Sequence, residues 1–119
     1  MKTVMLNKKS NLFKAIGHPS RVQILEYLSS GERCVCDIIS ELGLEQSNVS
    51  QHLAVLRREN LIVSRKQGLQ VMYRIKHLEI LAVLQKGQEL INDELNLNHR
   101  LMQVIETELR IEDEEMQKG

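Results

Sequence analysis

The stretch that decides the fold runs from Asp37 to Glu59 and reads DIISELGLEQSNVSQHLAVLRRE. Its first seven residues predict a short helix that ends at Gly43, and the three residues LEQ after Gly43 predict a tight link. A second helix is expected from Ser47, whose hydroxyl suits an N-cap, to Glu59. Asn60 then tolerates the left-handed conformation in which helices commonly end. A short helix, a three-residue turn and a longer helix form a helix-turn-helix.

The second of these helices has two chemically different faces. At about 100° per residue, Val49, Leu53 and Leu56 fall on one face, which predicts that this face packs against the core. The opposite face carries small polar and amide side chains near the amino end of the helix, where a DNA-reading helix contacts base edges. Glutamine and asparagine can each make two hydrogen bonds to adenine, and serine can bond bases or phosphates. The predicted DNA contacts on this helix are Ser47, Asn48, Ser50, Gln51, and the basic Arg57 and Arg58 at its far end.

Two runs rich in β-branched residues follow, Leu61–Arg65 and Gln70–Ile75. The four residues KQGL between them predict a turn, so the runs predict a β-hairpin that forms a wing beside the helix. Arg65 and Lys66 in this wing suit salt-sensitive contacts with DNA phosphates. Helix-turn-helix and wing together predict binding to double-stranded DNA.

The remaining segments predict helices. Residues 8–17 predict a first helix, and Pro19 suits the first position of a second helix that extends to about Ser30. Residues 77–111 predict one long helix or two, because Gly87 and two asparagines are candidate breaks, and the polar residues 112–119 are expected to fray. The fold class is therefore mainly α with a small β-hairpin, in one winged helix-turn-helix domain over residues 1–119. Its parts are the first helices (8–30), the helix-turn-helix (37–60), the wing (61–76) and the C-terminal helices (77–111).

Composition narrows the class of protein. Only 3% of the 119 residues are aromatic, so the core must rest on aliphatic side chains, which favours helix packing over a β-sandwich. The zero net charge hides an asymmetry: residues 1–78 carry 12 Lys/Arg against 6 Asp/Glu, and residues 79–119 carry 4 against 10. The excess of basic residues in the first part is typical of proteins that bind a polyanion such as DNA. An acidic, solvent-exposed C-terminal helix with no meaning for binding partners would also explain the asymmetry. With no signal peptide pattern and no apolar run of membrane-span length, the expected location is the cytoplasm.

The two cysteines of the chain lie together in Arg33-Cys34-Val35-Cys36-Asp37. Residues two positions apart do not face each other on a helix, so the thiols converge only if Cys34 precedes the helix and Cys36 begins it. A helix amino terminus and Arg33 favour the thiolate, whereas Asp37 opposes it. Thiolates select soft ions, so the pair predicts a sensor site whose occupation distorts the helix supporting the DNA-reading helix. The alternatives are a redox or persulfide switch, whose disulfide would be strained within regular structure, or thiols that sense nothing.

Three segments resemble the ArsR/SmtB-type metalloregulatory repressors. They are LFKAIGHPSR at residues 12–21, SNVSQHLAVLR at residues 47–57, and RKQG with VMYR at residues 65–74. Three motifs in the right order are far more specific than one. The resemblance implies a homodimer joined through its first and last helices, bound to a palindromic operator and released by an inducer. By position it implies DNA contact by Ser47, Ser50, Gln51 and His52, although His52 also suits helix packing.

The cysteine segment resembles the thiolate motif of the arsenic and antimony branch of this family. That resemblance implies As(III) or Sb(III) as the inducer at Cys34 and Cys36, with no cofactor required. Sensors of this branch often carry a third cysteine where this chain has Ile39. A small thiol, water or hydroxide would then complete the shell, or the ligand is a different one. The histidine site of the zinc and nickel branch is not carried over, because His77 and His99 lie 22 residues apart without the expected partners.

Two other classes of protein are weighed against a DNA-binding regulator. An enzyme would need a convergent nucleophile, base or metal set, and the chain has no G-x-S-x-G, HExxH or P-loop motif. A protein-interaction module would show no salt-dependent binding to duplex DNA. The expected partners are therefore operator DNA and a second copy of this chain, and no enzyme activity is expected.

Overall fold

A computed structural model describes residues 1–118, in which the chain forms five α-helices and one three-stranded sheet. The chain divides into two compact units, Met1–Ala82 and a second that begins at Val83. Within the part described, no helix is long and apolar enough to cross a membrane. The elements in chain order are α1 (Lys2–Ile16), α2 (Pro19–Leu28), β1 (Arg33–Cys34), α3 (Val35–Leu42), α4 (Gln46–Arg58), β2 (Ile62–Gln67), β3 (Gln70–Ile75) and α5 (Glu79–Lys118).

The residues that were expected to start and stop the central helices mostly do so. Pro19 begins α2, and the preceding His18 caps it by accepting a hydrogen bond at Nδ1 from the Ser20 N–H at 3.1 Å. Gly43 ends α3 with a φ of 66°, and Asn60 follows α4 with a φ of 59°. Both positive φ values confirm the left-handed helix ends expected from glycine and asparagine.

The amino end of α4 differs from the prediction. The helix begins at Gln46 rather than Ser47, and its N-cap is Glu45, which makes no side-chain capping bond. The prediction that Ser47 caps the helix is therefore wrong. The extended backbone of Glu45 already accepts the first helical hydrogen bond, from the Val49 N–H at 3.1 Å. Ser47 consequently lies inside the first turn, with its side chain exposed.

The terminal helices are longer than expected. The first helix begins at Lys2 rather than at residue 8, and the C-terminal region is one continuous helix to Lys118 that includes the acidic residues expected to fray. Gly87 does not break α5, because a single helical glycine costs only about 1 kcal/mol relative to alanine. A helix of 40 residues contains enough favourable positions to outweigh that cost.

The sheet has the strand order β1-β3-β2 with both pairs antiparallel. The hairpin turn is tighter than predicted: Gln67 pairs with Gln70, so only Gly68 and Leu69 form the loop. Gly68 has a φ of 62°, which allows a two-residue turn. The strand β1 was not predicted, since two residues carry no periodic pattern and form a strand only where β3 offers an edge.

The core of the first unit lies beneath α4. Its most buried side chains come from α2 (Ile24, Leu25), α3 (Ile38), α4 and β2 (Ile62). From α4 the contributors are Val49, Leu53 and Leu56, the three residues that helical phase placed on one face. Burial of this apolar face fixes the rotation of α4 about its axis and therefore decides which side chains point to solvent.

In the second unit, α5 carries an apolar stripe that is exposed in the single chain. Leu95, Met102, Leu109 and Met116 recur every seven residues, and all four are at least half exposed. Ile91, Asn98 and Ile105 form a parallel row, four residues before Leu95, Met102 and Leu109 in turn. This alternation of four and three residues is the heptad pattern of a helix that packs against another helix.

Candidate nucleic-acid interface and cysteine pair

The solvent face of α4 presents the polar side chains that were singled out in the sequence. Ser47, Asn48, Ser50 and Gln51 are exposed in the first half of the helix, and Arg57 and Arg58 are exposed in its last turn. The burial pattern therefore agrees with the two faces expected from helical phase. Contact of these residues with DNA stays a prediction.

His52 lies at the edge of this face and contacts α2 rather than open solvent. Its ring packs on that of His18, with centroids 4.4 Å apart, and its Nδ1 lies 3.4 Å from Nη1 of Arg21. The same Arg21 donates hydrogen bonds to the carbonyl oxygens of Lys14 and Ala15 at the end of α1. His52 thus belongs to a junction of α1, α2 and α4, and these contacts support the packing role.

This junction predicts a pH-dependent stability. Partial burial, followed by the electrostatic influence of His18 and Arg21, holds the pKa of His52 below its ordinary value of 6.5. As the pH falls through 6.5, the unfolded chain takes up the proton first, so this residue lowers the free energy of unfolding below that pH. In urea unfolding at about pH 7.5 and about pH 5.5, we expect wild type to lose more stability on acidification than His52→Gln.

The exposed His99 supplies a matched control for that comparison. His99→Gln should follow the wild-type pH dependence, because His99 lies on α5 and its described hydrogen bond is to Gln103 on the same helix. An equal loss of stability in wild type and His52→Gln would contradict the role assigned to the junction.

In the wing, Lys66 is exposed and Arg65 is held by an acidic side chain. The Nε atom of Arg65 donates to both carboxylate oxygens of Glu32, at 2.9 and 3.1 Å, and its Nη2 donates to Glu32 and to Gln67. The hydrogen bond from Arg65 lowers the pKa of Glu32, and the carboxylate raises the pKa of Arg65. The sequence did not reveal this partner, because Glu32 and Arg65 are 33 residues apart and meet through β1.

The two cysteines converge at the start of α3. Cys34 ends β1 and is the N-cap of α3, with an extended backbone (φ −75°, ψ 156°), while Cys36 lies in the first turn. Their Cα atoms are 5.3 Å apart and their sulfur atoms are joined as a disulfide. The condition inferred from spacing, that Cys34 precedes the helix, is confirmed.

The two sulfur atoms are unequal in exposure and bonding. Cys34 is 5% exposed, and its Sγ accepts a hydrogen bond from the Asp37 N–H at 3.3 Å, whereas Cys36 is exposed. One ligand atom each from Cys34, Cys36 and Asp37 lie within 4.8 Å of one another. Asp37, expected only to oppose the thiolate, therefore also lies within reach of both sulfur atoms.

Arg33, which was expected to act on the neighbouring thiols, contacts Tyr27 and Ser30 instead. Its guanidinium lies over the ring of Tyr27, 4.9 Å from the centroid, and donates to Ser30 Oγ at 3.0 Å. The cationic group is thus engaged with α2 and the loop after it. The contacts described for the Arg33 guanidinium are with Tyr27 and Ser30 and do not include a cysteine sulfur.

The chain was compared with known proteins. Residues 18–64 match the family described as bacterial regulatory protein, arsR family. An uncharacterized HTH-type transcriptional regulator of Mycobacterium tuberculosis is 42% identical in an alignment 82 residues long that covers 66% of this chain and 72% of that protein. The arsenical resistance operon repressor of Staphylococcus xylosus is 35% identical over 83 residues, which are 70% of this chain and 79% of the repressor.

The fold has solved counterparts. The homodimeric winged helix-turn-helix DNA-binding domain of Mb0332 from Mycobacterium bovis, solved by NMR, superposes with a TM-score of 0.72 at 28% identity. The superposition covers 79% of this chain and 87% of that domain. The mainly helical fold and the hairpin wing thus agree with the solved domain, and the relatives are transcription regulators and not enzymes. The chain belongs to the ArsR family of bacterial regulatory proteins, whose winged helix-turn-helix binds DNA.

Proposed function

We propose that this protein is a cytoplasmic homodimeric repressor that leaves its operator when As(III) or Sb(III) binds Cys34 and Cys36. The observation that carries the proposal is the convergence of the two sulfur atoms at the first turn of α3, a helix that packs directly against α4. The relative from Staphylococcus xylosus, named as an arsenical resistance operon repressor, supports the choice of metalloid.

In the proposed complex, α4 enters the major groove with its exposed amino-terminal face toward the bases. Gln51 and Asn48 are suited to adenine, while Ser47 and Ser50 can reach bases or phosphates. The basic residues carry no sequence information and contribute salt-sensitive affinity through phosphates. These residues are Arg57 and Arg58 on α4, and Arg65 and Lys66 on the wing.

The proposed dimer is supported by apolar surface left exposed on both terminal helices. On α1, Met5, Leu6 and Phe13 are each more than half exposed. On α5, the heptad stripe from Ile91 to Met116 is exposed along its length. Helices of this kind gain most of their stability by burying the apolar face against another helix, and a second copy of this chain offers the same stripe. The homodimeric domain from Mycobacterium bovis is consistent with this assembly.

The proposed release begins with the reduced pair of thiols. Arsenous acid, As(OH)₃, exchanges two hydroxides for the two sulfurs, and each thiol proton leaves with a hydroxide as water. The third position keeps its hydroxide, or releases it to solvent in exchange for a carboxylate oxygen of Asp37, whose ligand atom lies within reach of both sulfurs. Because Cys34 Sγ also accepts the Asp37 N–H, binding at this sulfur disturbs the cap of α3 and hence the support of α4.

The proposal is tested with the full chain kept reduced and a fluorescent duplex from its own promoter. We expect affinity that falls as salt rises from roughly 50 to 200 mM, and a further loss of about 5- to 150-fold when arsenite is added. Sedimentation of the same sample should give twice the monomer mass of 13.8 kDa. Absence of binding to the duplex even at the lowest salt concentration would overturn the proposal.

Within that complex, Gln51→Ala is expected to weaken operator binding by about 1–3 kcal/mol, because the side chain is exposed at the centre of the predicted reading face. Binding to a scrambled duplex should change little, since base contacts add little to non-specific affinity. Gln85→Ala on α5 is the matched control and should bind both duplexes like wild type. Equal losses on both duplexes would show that Gln51 does not read the sequence.

A second candidate function is a thiol redox switch, which is favoured by the disulfide itself. Oxidation by hydrogen peroxide would remove two electrons and two protons from the thiols and yield the disulfide and two molecules of water. The same duplex distinguishes the two inducers when it is titrated with reduced, arsenite-treated and peroxide-treated protein. If peroxide releases the duplex and arsenite does not, the inducer is an oxidant rather than a metalloid. If neither releases the duplex, the protein binds DNA but does not sense through these thiols.

A further inference from the structure

The Glu32–Arg65 ion pair joins the cysteine segment to the wing. Glu32 lies directly before β1, two residues before Cys34, and Arg65 lies in β2. The guanidinium offers its Nε and Nη2 edge to the carboxylate, the fork arrangement in which arginine also binds a phosphate. A DNA phosphate and Glu32 therefore compete for the same edge of Arg65.

The sheet connects the same two places through its backbone. Cys34 pairs with Met72 across β1 and β3, and Met72 pairs with Arg65 across β3 and β2. The three residues form one row across the sheet, so Cys34 and Arg65 are separated by two strand spacings, roughly 10 Å. A change at Cys34 therefore has a path to the wing through one intervening residue, Met72.

We propose that Glu32 is a positioning residue that couples the cysteine pair to the wing by withholding Arg65 from DNA when the sulfurs are tied together. In this structure the sulfurs are joined and Arg65 is held by Glu32, so the two conditions occur together. Because β1 has only two residues, we expect it to shift readily once the sulfurs no longer tie it to the first turn of α3. A phosphate can then displace the carboxylate, because exposed ion pairs contribute little to holding a fold together.

This inference rests on the proposed function, since it needs both DNA binding and a response at the thiols. The variants are Glu32→Gln, Arg65→Gln and the double variant, with Glu41→Gln on α3 as the matched control for loss of an exposed acid. Duplex affinity is measured with the thiols reduced, arsenite-bound and oxidised, each over a salt series. Arsenite stoichiometry and thermal unfolding are recorded on the same samples.

We expect Glu32→Gln to bind the duplex several-fold more tightly when the sulfurs are tied, because Arg65 is then available in every state. The ratio of affinities between free and arsenite-bound protein should fall about fivefold, while arsenite stoichiometry and unfolding stay as in wild type. The salt dependence of the arsenite-bound form should steepen by about one phosphate contact per chain. The double variant should behave like Arg65→Gln, since Glu32 acts only through Arg65.

Equal affinities of wild type and Glu32→Gln in the tied state would overturn this inference alone. The oxidised state provides that comparison even if arsenite proves not to be the inducer. Failure of the proposed function is recognised separately, by a wild type that binds no duplex. If Glu41→Gln raised the duplex affinity as much as Glu32→Gln does, the inference would also be overturned. The gain in affinity would then come from the loss of a negative charge alone.

Discussion

Replacing Leu56 with alanine is expected to lower the free energy of unfolding by about 2–5 kcal/mol, the usual range for a buried leucine truncated in a packed core. Leu56 is fully buried on the inner face of α4, beside Val49 and Leu53. The lost methyl groups leave a cavity beneath the predicted DNA-reading helix, so the variant should also bind the operator more weakly. Urea unfolding followed by circular dichroism measures the first effect, and duplex binding measures the second.

Leu69→Ala is the matched control, with the same atoms removed from a residue that is fully exposed at the tip of the wing. Its free energy of unfolding should stay within about 0.5 kcal/mol of wild type. If the two variants unfolded at the same urea concentration, the inner face of α4 would not be the core of the first unit.

The second large effect is expected from Cys36→Ser, which should reduce the arsenite response from about 5- to 150-fold to less than about twofold. A serine hydroxyl does not ionise at neutral pH and is a hard ligand, so it replaces the thiolate poorly at a thiophilic ion. Cys36 is exposed in the first turn of α3, and its replacement leaves the buried cap residue Cys34 in place. Operator affinity without arsenite should therefore remain close to wild type, as measured by duplex titration of the reduced proteins.

Ser40→Ala provides a control on the exposed surface of the same helix and should keep the full response. If the same arsenite concentration released both Cys36→Ser and wild type from the operator duplex, Cys36 would not be part of the sensing site. Direct measurement of bound arsenic would then show whether Cys34 suffices or whether the metalloid binds elsewhere.

The helix-turn-helix could be predicted because its signals are local. The spacing of Val49, Leu53 and Leu56 marks one face of a helix wherever that helix lies, and Gly43 and Asn60 end their helices through their own backbone preferences. The same reasoning about period predicted that two cysteines converge only if the first precedes the helix. Helix ends were less well predicted, since a cap such as Glu45 depends on where the preceding loop directs the chain.

The pairings at the candidate site were not visible in the sequence. His18 contacts His52, and Glu32 holds Arg65, across separations of 34 and 33 residues that no local pattern records. Arg65 and Lys66 look equivalent as neighbouring basic residues, yet only Arg65 has an acidic partner among the contacts described for residues 1–118. Whether Arg65 or Lys66 pairs with an acidic side chain therefore depends on the position of β1, a strand too short to have a recognisable sequence pattern.

By itself the sequence determined the order of the helices and of the two hairpin strands, the buried and exposed faces of α4, and the only two thiols of the chain. Those properties follow from side-chain period and backbone preference, which act within a few residues. Tertiary structure decided that β1 joins the wing and that Glu32 meets Arg65. Such contacts form only when folding brings distant segments together, because their energy depends on positions in space rather than on distance along the chain.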